Sequence, residues 1–267
     1  MAIIKPLFMF TRPHTMVGTL VSVPAVCYNA GASHSAVLNA LVPALLTNVF
    51  VVGVNQLTDV GVDIINKPGL PLASGELTPR MARRVTTMCI LGAVLTSLSS
   101  PWLLATTVTS ALVGLAYSCE PLRLKRSAVA AMACIVFVRG FVVNVGFARY
   151  SGGCTNWRTV RFFSAFACLI SLLKDVPDTA GDEANNLPSF ALTTSRAAVL
   201  TTVKITVTFV GALVAASATS RVRRVVAINA VGTWIVMSLL TKPNDDDKVR
   251  QLYMLLWSLF YLSYLTI

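Results

Sequence analysis

The stretch "LVPALLTNVFVVGV" (41–54) runs without a break into "NQLTDVGVDIINKPGLPLASGE" (55–76), so a segment fit for lipid ends in an asparagine and two aspartates. Asn55, Asp59 and Asp63 recur every four residues. If the helix of the apolar run continues through them, they stack on one face over about two turns. Like charges at that spacing repel, and a carboxylate costs on the order of 2 to 3 kcal/mol at the bilayer midplane, less toward the interface. Such a pair requires a cation.

Outward from this stretch the chain is apolar throughout. With 55% hydrophobic and 12% charged residues in 267 positions, a water-soluble domain with a polar surface is excluded. Nine apolar runs, at 14–31, 37–57, 84–99, 101–118, 128–148, 159–176, 197–219, 223–240 and 250–267, read as membrane spans. Each is sized for a hydrocarbon core ~30 Å thick at about 1.5 Å of rise per residue. The runs are continuous rather than alternating, and lipid forces each segment to bond its own backbone, which favours helices over barrel strands. Pro24 and Pro43 fall inside runs, where membrane helices tolerate them. The expected fold is all-α: a polytopic membrane protein of nine transmembrane helices, forming a single domain over 1–267.

Charge sets the orientation. The N-terminus and the loops after the even-numbered runs carry Lys5, Arg12, Lys67, Arg80, Arg83, Arg84, Arg123, Lys125, Arg126, Lys174, Arg196, Lys242, Lys248 and Arg250. The opposite face carries Arg149, Arg158, Arg161, Arg221, Arg223 and Arg224, so the first face is the cytoplasmic one or its organellar equivalent. All eleven acidic residues also fall on that first face. Acidic residues contribute little to orientation, so topology alone does not require the segregation. The net charge of +11 fits basic loops resting on anionic headgroups of a lipid bilayer, and no nucleic-acid module is present. The six cysteines are scattered without C-x-x-C pairing and read as small apolar packers. The first residues, "MAIIKPLFMFTRPHT", show neither a secretory signal nor a transit peptide.

A second acidic cluster lies in "KDVPDTAGDEANN", where Asp175, Asp178 and Asp182 are spaced i, i+3, i+7 after the sixth run. Pro177 and Gly181 bend or end that helix and re-aim the carboxylates into a cavity. The chain thus reads as two halves with an acidic cluster in each. Two clusters of hard oxygen donors suit Mg²⁺ shared with substrate phosphates, and no Cys or His stands at zinc spacing. Lys67, Arg123, Lys125 and Arg126 on the same face point to a diphosphate, and equally fit charges that merely set topology. The chemistry indicated is ionisation of an allylic diphosphate. A secondary transporter is the competing reading, but transporters usually place ionisable groups near the midplane rather than at one interface.

At these residues the chain resembles the UbiA-type intramembrane prenyltransferases. "NQLTDVGVD" resembles their N-Q-x-x-D-x-x-x-D motif, "KDVPDTAGD" their K-D-x-x-D-x-x-G-D motif, and "YSCEPLRLKR" the Y-S-x-P-P-L-R-x-K-R loop. "TRPHTMVGT" and "VRGFVVNVGF" also match, and the nearest pattern is the homogentisate prenyltransferase group. The resemblance implies nine helices around a central cavity opening on the acidic face. It implies Asp59, Asp63, Asp175, Asp178 and Asp182 as Mg²⁺ ligands, the first four serving catalysis. Asn55, Lys67, Arg123, Lys125 and Lys174 would bind the polyprenyl diphosphate, phytyl, geranylgeranyl or solanesyl. An aromatic acceptor, homogentisate above 4-hydroxybenzoate, a flavonoid or chlorophyllide, would attack the allylic cation, with loss of carbon dioxide where homogentisate is the acceptor. The resemblance further implies a plastid membrane and prenylquinone synthesis. His14 reads as a polar helix start or a contributor to the headgroup site. Arg139, inside the fifth run, is expected to face a cavity and to approach the acceptor's carboxylate. Glu120 replaces the first proline of the P-P pair, Glu183 stands where relatives have lysine and Arg149 near where they have histidine; these departures bear on acceptor and donor choice.

Overall fold

The computed structural model describes residues 4–218 and 220–266, and among these no strand occurs. The helices are α1 (Ile4–Phe10), α2 (Pro13–Asn29), α3 (His34–Thr58), α4 (Val60–Asn66), α5 (Pro79–Ser97), α6 (Pro101–Ser118), α7 (Ala128–Tyr150), α8 (Trp157–Lys174), α9 (Thr179–Ala184), α10 (Phe190–Thr193), α11 (Arg196–Ser217), α12 (Arg221–Leu240) and α13 (Asp246–Thr266). The starts follow local chemistry. Ser33, Thr78, Ser100, Ser127, Asn156, Ser195 and Ser220 each accept a backbone N–H of the helix they precede, and Pro79 and Pro101 occupy first-turn positions. Each such cap is worth ~1 kcal/mol against alanine.

Each apolar run in the sequence corresponds to one of these helices, several of which end one or two residues before the run does; Thr219 and Ile267 lie outside the described residues. Four of these helices are long and apolar enough to cross a membrane by length and composition: α3, α7, α11 and α12. Of the other five long helices, α6 is diluted by Thr106, Thr107, Thr109 and Ser110, and the remaining four fall short for visible reasons. Helix α2 has only 17 residues; α5 begins with Arg80, Arg83 and Arg84; α8 carries Arg158 and Arg161; and α13 opens on Asp246, Asp247, Lys248 and Arg250. Asp246 and Asp247 stand in the first turn of α13, where they favour its N-terminus.

Contacts α2–α3, α3–α6, α6–α7, α7–α8, α8–α13 and α13–α2 close a ring. Helix α5 packs outside α3 and α6, and α11 with α12 packs outside α8 and α13. Away from the acidic end the ring is drawn shut: Tyr150 Oη donates to the Ala36 carbonyl at 3.0 Å, and Gly153 touches Ala30 so closely that a Cβ would fall 2.7 Å from its side chain. The largest core cluster lies among α2, α7, α8 and the last three helices, with Phe163 stacked on Tyr264 at 3.7 Å and Trp234 fully buried. Outward, Met88, Leu91 and Leu95 of α5 are 72%, 64% and 70% exposed, a helical stripe of large apolar residues that only lipid accommodates. The chain is a membrane protein.

Candidate active site

The apolar helix α3 ends one residue before Asp59, whose backbone (φ −112°, ψ 17°) leaves the helical region. The hydrogen-bond ladder nevertheless bridges the break: Asp59 N donates to Asn55 O at 3.0 Å and Asp63 N to Asp59 O at 2.8 Å. The expected stack of Asn55, Asp59 and Asp63 therefore survives across two helices, with a bend at Asp59. Asn55 Nδ2 donates to Asp59 Oδ2 at 2.7 Å, so the asparagine serves the carboxylate directly. Asp59 and Asp63 are both buried.

The second cluster forms where α8 ends at Lys174. Asp175 follows it, Asp178 precedes α9, and Asp182 lies one turn into α9, with Asp182 N donating to Asp178 O at 3.1 Å. Asn66 stitches the two clusters together. Its Oδ1 accepts from Gly181 N at 2.8 Å and its Nδ2 donates to Asp178 O at 2.8 Å. Gly181 is required for this approach, because a Cβ there would lie 2.6 Å from the Asn66 amide. The Lys67 ammonium then crosses to Asp178, and Arg250 of α13 donates to the carbonyls of Asn66 (3.0 Å) and Pro177 (3.3 Å).

Every carboxylate but Asp182 has a cation of its own. Lys125 pairs with Asp59, Lys174 with Asp175 and Lys67 with Asp178; Arg12 stands 3.7 Å from Asp63, and Arg123 3.7 Å from Asp59. Because the acids turn to these partners, no three of them converge into a ready metal cage among the described residues. The donor set still fits a hard divalent cation. Asp178 Oδ1 is buried without a hydrogen bond, with the Arg250 guanidinium 3.7 Å away. Burial raises the Asp63 carboxyl above its usual range, against the pull of Arg12 and Lys67. Asp182 is pushed up to about 7, first by burial and then by the charges of Asp175 and Asp178. Burial likewise lowers the Lys125 ammonium, against Asp59. Crowded, desolvated carboxylates of this kind are what a bound divalent cation relieves.

Asn55, Lys174 and Arg12, the partners of Asp59, Asp175 and Asp63, line a cavity of about 290 Å³ inside the ring together with Tyr117, Arg139 and Trp257, while the five aspartates themselves are not part of its wall. Arg139 lies in a π-helical segment of α7, Phe137–Val142, apart from the carboxylates. His14 is exposed in the first turn of α2. Glu120 pairs with Arg126 at 2.6 Å and approaches Arg123 at 3.5 Å, so the departure from the P-P pair occupies the arginines of its own loop. Asn66 and Trp257 carry no signal of their own in the sequence; Arg12 and Arg250 stand there only as charges that set topology, and Tyr117 has no role there of its own, although Arg12 and Tyr117 lie in the quoted "TRPHTMVGT" and "YSCEPLRLKR" stretches.

The sequence pattern of the UbiA prenyltransferase family matches residues 15–259. Over 212 residues the chain is 38% identical to a protein named homogentisate phytyltransferase from Synechocystis, covering 72% of this chain and 69% of that one. Over 287 residues it is 32% identical to homogentisate phytyltransferase 1 of Arabidopsis thaliana, covering 97% and 73%. A UbiA homolog from Archaeoglobus fulgidus, solved bound to GPP and Mg²⁺, shares the fold with a TM-score of 0.69 over 98% of this chain and 100% of that one, at 14% identity. With two stitched carboxylate clusters at the mouth of a helical ring, and that family's pattern along nearly its whole length, the chain is a prenyltransferase belonging to the UbiA prenyltransferase family.

Proposed function

We propose that this chain, acting as one domain in a plastid-type membrane, transfers a prenyl group from a polyprenyl diphosphate to homogentisate, a step of prenylquinone synthesis. The observation that carries the reading is the pair of carboxylate clusters held together by Asn66, whose partners Asn55 and Lys174 line the cavity, in a chain whose relatives include proteins named homogentisate prenyltransferases.

Asp59, Asp63, Asp175, Asp178 and Asp182 would hold Mg²⁺, which when bound neutralises diphosphate oxygens and eases their departure. Asn55 keeps Asp59 in place. Lys67, Arg123, Lys125 and Lys174 would hold the remaining diphosphate oxygens as the allylic C–O bond breaks and its electron pair leaves with the diphosphate. The apolar wall of the ring receives the prenyl tail and keeps water from the allylic cation. The aromatic ring then supplies an electron pair to the new C–C bond and regains its aromaticity by giving up the proton at that carbon to a base; with homogentisate the carboxylate leaves as carbon dioxide and a proton takes its place on the side-chain carbon.

The test is incubation of the purified protein with Mg²⁺, a labelled prenyl diphosphate and a panel of acceptors, read by mass spectrometry. Prenylated homogentisate from the native chain, and none from Asp59→Ala or Asp178→Ala, is expected. Near-normal product from both variants ends the ligand assignment, and uptake of substrate without covalent product would mean a transporter.

A further inference from the structure

The diphosphate reading leaves one cation unused. Among the described residues Arg139 has neither an ion pair nor a hydrogen bond from its guanidinium; it lies over the Trp257 ring, whose centroid is 5.3 Å from Cζ, and its charge is also felt by His14, Tyr261 and Tyr264. An arginine within a membrane helix is costly and generally faces a partner or a cavity. Here it faces the cavity, on the same wall as Asn55 and Lys174.

The backbone of α7 is shaped to hold it there. A π-turn inserts an extra residue into an α-helix and frees carbonyls that must find donors. Asn144 Nδ2 supplies them, donating to Arg139 O at 3.1 Å and Gly140 O at 2.9 Å. Gly140 lets the widened turn press on α8, since a Cβ at that position would come within 2.5 Å of the Ser164 Cα. The sequence "RGFVVN" (139–144) thus builds a fixed platform for one guanidinium. The Trp257 ring meets the guanidinium by a cation–π contact, which uses none of its five N–H donors.

Resting on the proposed prenyl transfer, two anions would enter this cavity: the diphosphate, already matched by lysines beside the carboxylates, and the carboxylate of the acceptor. A guanidinium edge matches a carboxylate with two parallel hydrogen bonds. We infer that Arg139, stacked on Trp257, binds the carboxylate of the aromatic acid acceptor and makes the site select acids over neutral phenols.

The experiment measures binding of homogentisate and of its methyl ester to detergent-purified protein without prenyl diphosphate, by calorimetry, and then kcat/KM for both. Arg139→Gln should weaken homogentisate binding by about 10- to 150-fold, the range of a hydrogen bond to a charged group, while ester and prenyl diphosphate binding stay within about threefold. The acid-over-ester ratio of kcat/KM should collapse by a similar factor, and Trp257→Leu should lower it less. Arg139→Lys, keeping the charge, should recover part of the acid affinity. Unchanged homogentisate binding in Arg139→Gln overturns the assignment. So does parallel loss of acid, ester and prenyl diphosphate, which would make Arg139 a structural residue. Native protein that binds the acid through Arg139 yet prenylates nothing would sink the proposed function and leave this assignment standing.

Discussion

Asn66 offers the sharpest test of how the two acidic clusters become one site. Asn66→Ala removes the acceptor of the Gly181 N–H and the donor to the Asp178 carbonyl, both at 2.8 Å. The Gly181 bond is buried, and the Asp178 bond partly so. An abandoned buried polar group costs ~1–3 kcal/mol, so the pair amounts to about 2–4 kcal/mol once the partly solvated carbonyl is set at the low end. For a chain of this size that corresponds to a fall of roughly 5–15 °C in the unfolding midpoint in detergent. Nothing else of Asn66 is lost, because Arg250 bonds its backbone carbonyl rather than its side chain.

The functional consequence follows from position. Asn66 closes α4, which carries Asp63, and holds it against α9, which carries Asp182. Freed of that bridge, the carboxylates of 59–63 and 175–182 lose their fixed separation, and the Mg²⁺ concentration giving half-maximal turnover should rise. Asn66→Asp separates the two bonds: it keeps an acceptor for Gly181 but turns oxygen toward the Asp178 carbonyl, so it should melt below Asn66→Ala in metal-free buffer. Two outcomes refute the reasoning. A midpoint within about 2 °C of the native protein would mean the bridge carries under ~1 kcal/mol. A lowered midpoint with unaltered Mg²⁺ dependence would mean the clusters act independently.

Asn55→Ala deletes the 2.7 Å donor that fixes Asp59 and should reduce kcat/KM for prenyl diphosphate about tenfold, the equivalent of one hydrogen bond to a charged group; steady-state kinetics at saturating acceptor read it, and an unchanged value would mean Lys125 alone holds Asp59. For Asp182 the folded carboxyl titrates at about 7, far above the ordinary carboxylate. The folded state therefore binds more protons than the unfolded state between about pH 4 and 7, and stability falls as pH rises through that window. In chelator-treated protein Asp182→Asn should remove this slope and exceed the native melting temperature above pH 7; parallel melting profiles from pH 5 to 8 would rule the account out.

What the sequence made legible was local. Asn55, Asp59 and Asp63 are four residues apart, so helical geometry alone put the amide on the carboxylate. The Asp175, Asp178, Asp182 spacing marked a second row, although Asp175 and Asp178 lie in the turns between α8 and α9 rather than on one continuous helix. The bend at Asp59 was not legible, because Asp59 N and Asp63 N still donate four residues back on either side of it. Asn66 escaped notice because its partners, Asp178 and Gly181, lie 112 and 115 residues away, and no local pattern marks a neutral amide as a bridge. Gly181 did carry a signal, but it read as a helix breaker, whereas what it provides is room for the Asn66 amide. Arg139 stood out because a charge within an apolar run has to be accounted for; its π-turn did not, since it depends on Ser164 crowding Gly140 across two helices.

The pairing of nearly every carboxylate with its own lysine or arginine bears on how substrates enter. Lys125 is buried against Asp59, and Lys67 reaches from the end of α4 to Asp178 on the other cluster. Breaking one buried ion pair by removing a partner leaves an uncompensated charge at a cost of ~3–5 kcal/mol. Mg²⁺ alone would free an ammonium while occupying its carboxylate, and diphosphate alone would meet lysines already engaged. Bound together they would exchange partners, with Lys67 and Lys125 turning from carboxylate to phosphate oxygen so that no buried charge is left single. In the proposed reaction each ligand should therefore tighten the other, and linkage requires the two enhancements to be equal. Calorimetric titration of Mg²⁺ with and without a non-ionisable diphosphate analogue, and of the analogue with and without Mg²⁺, measures both factors. Lys67→Met should shrink the coupling, because Asp178 then has no ammonium to give up; full coupling in that variant would show that the ligands bind without the exchange.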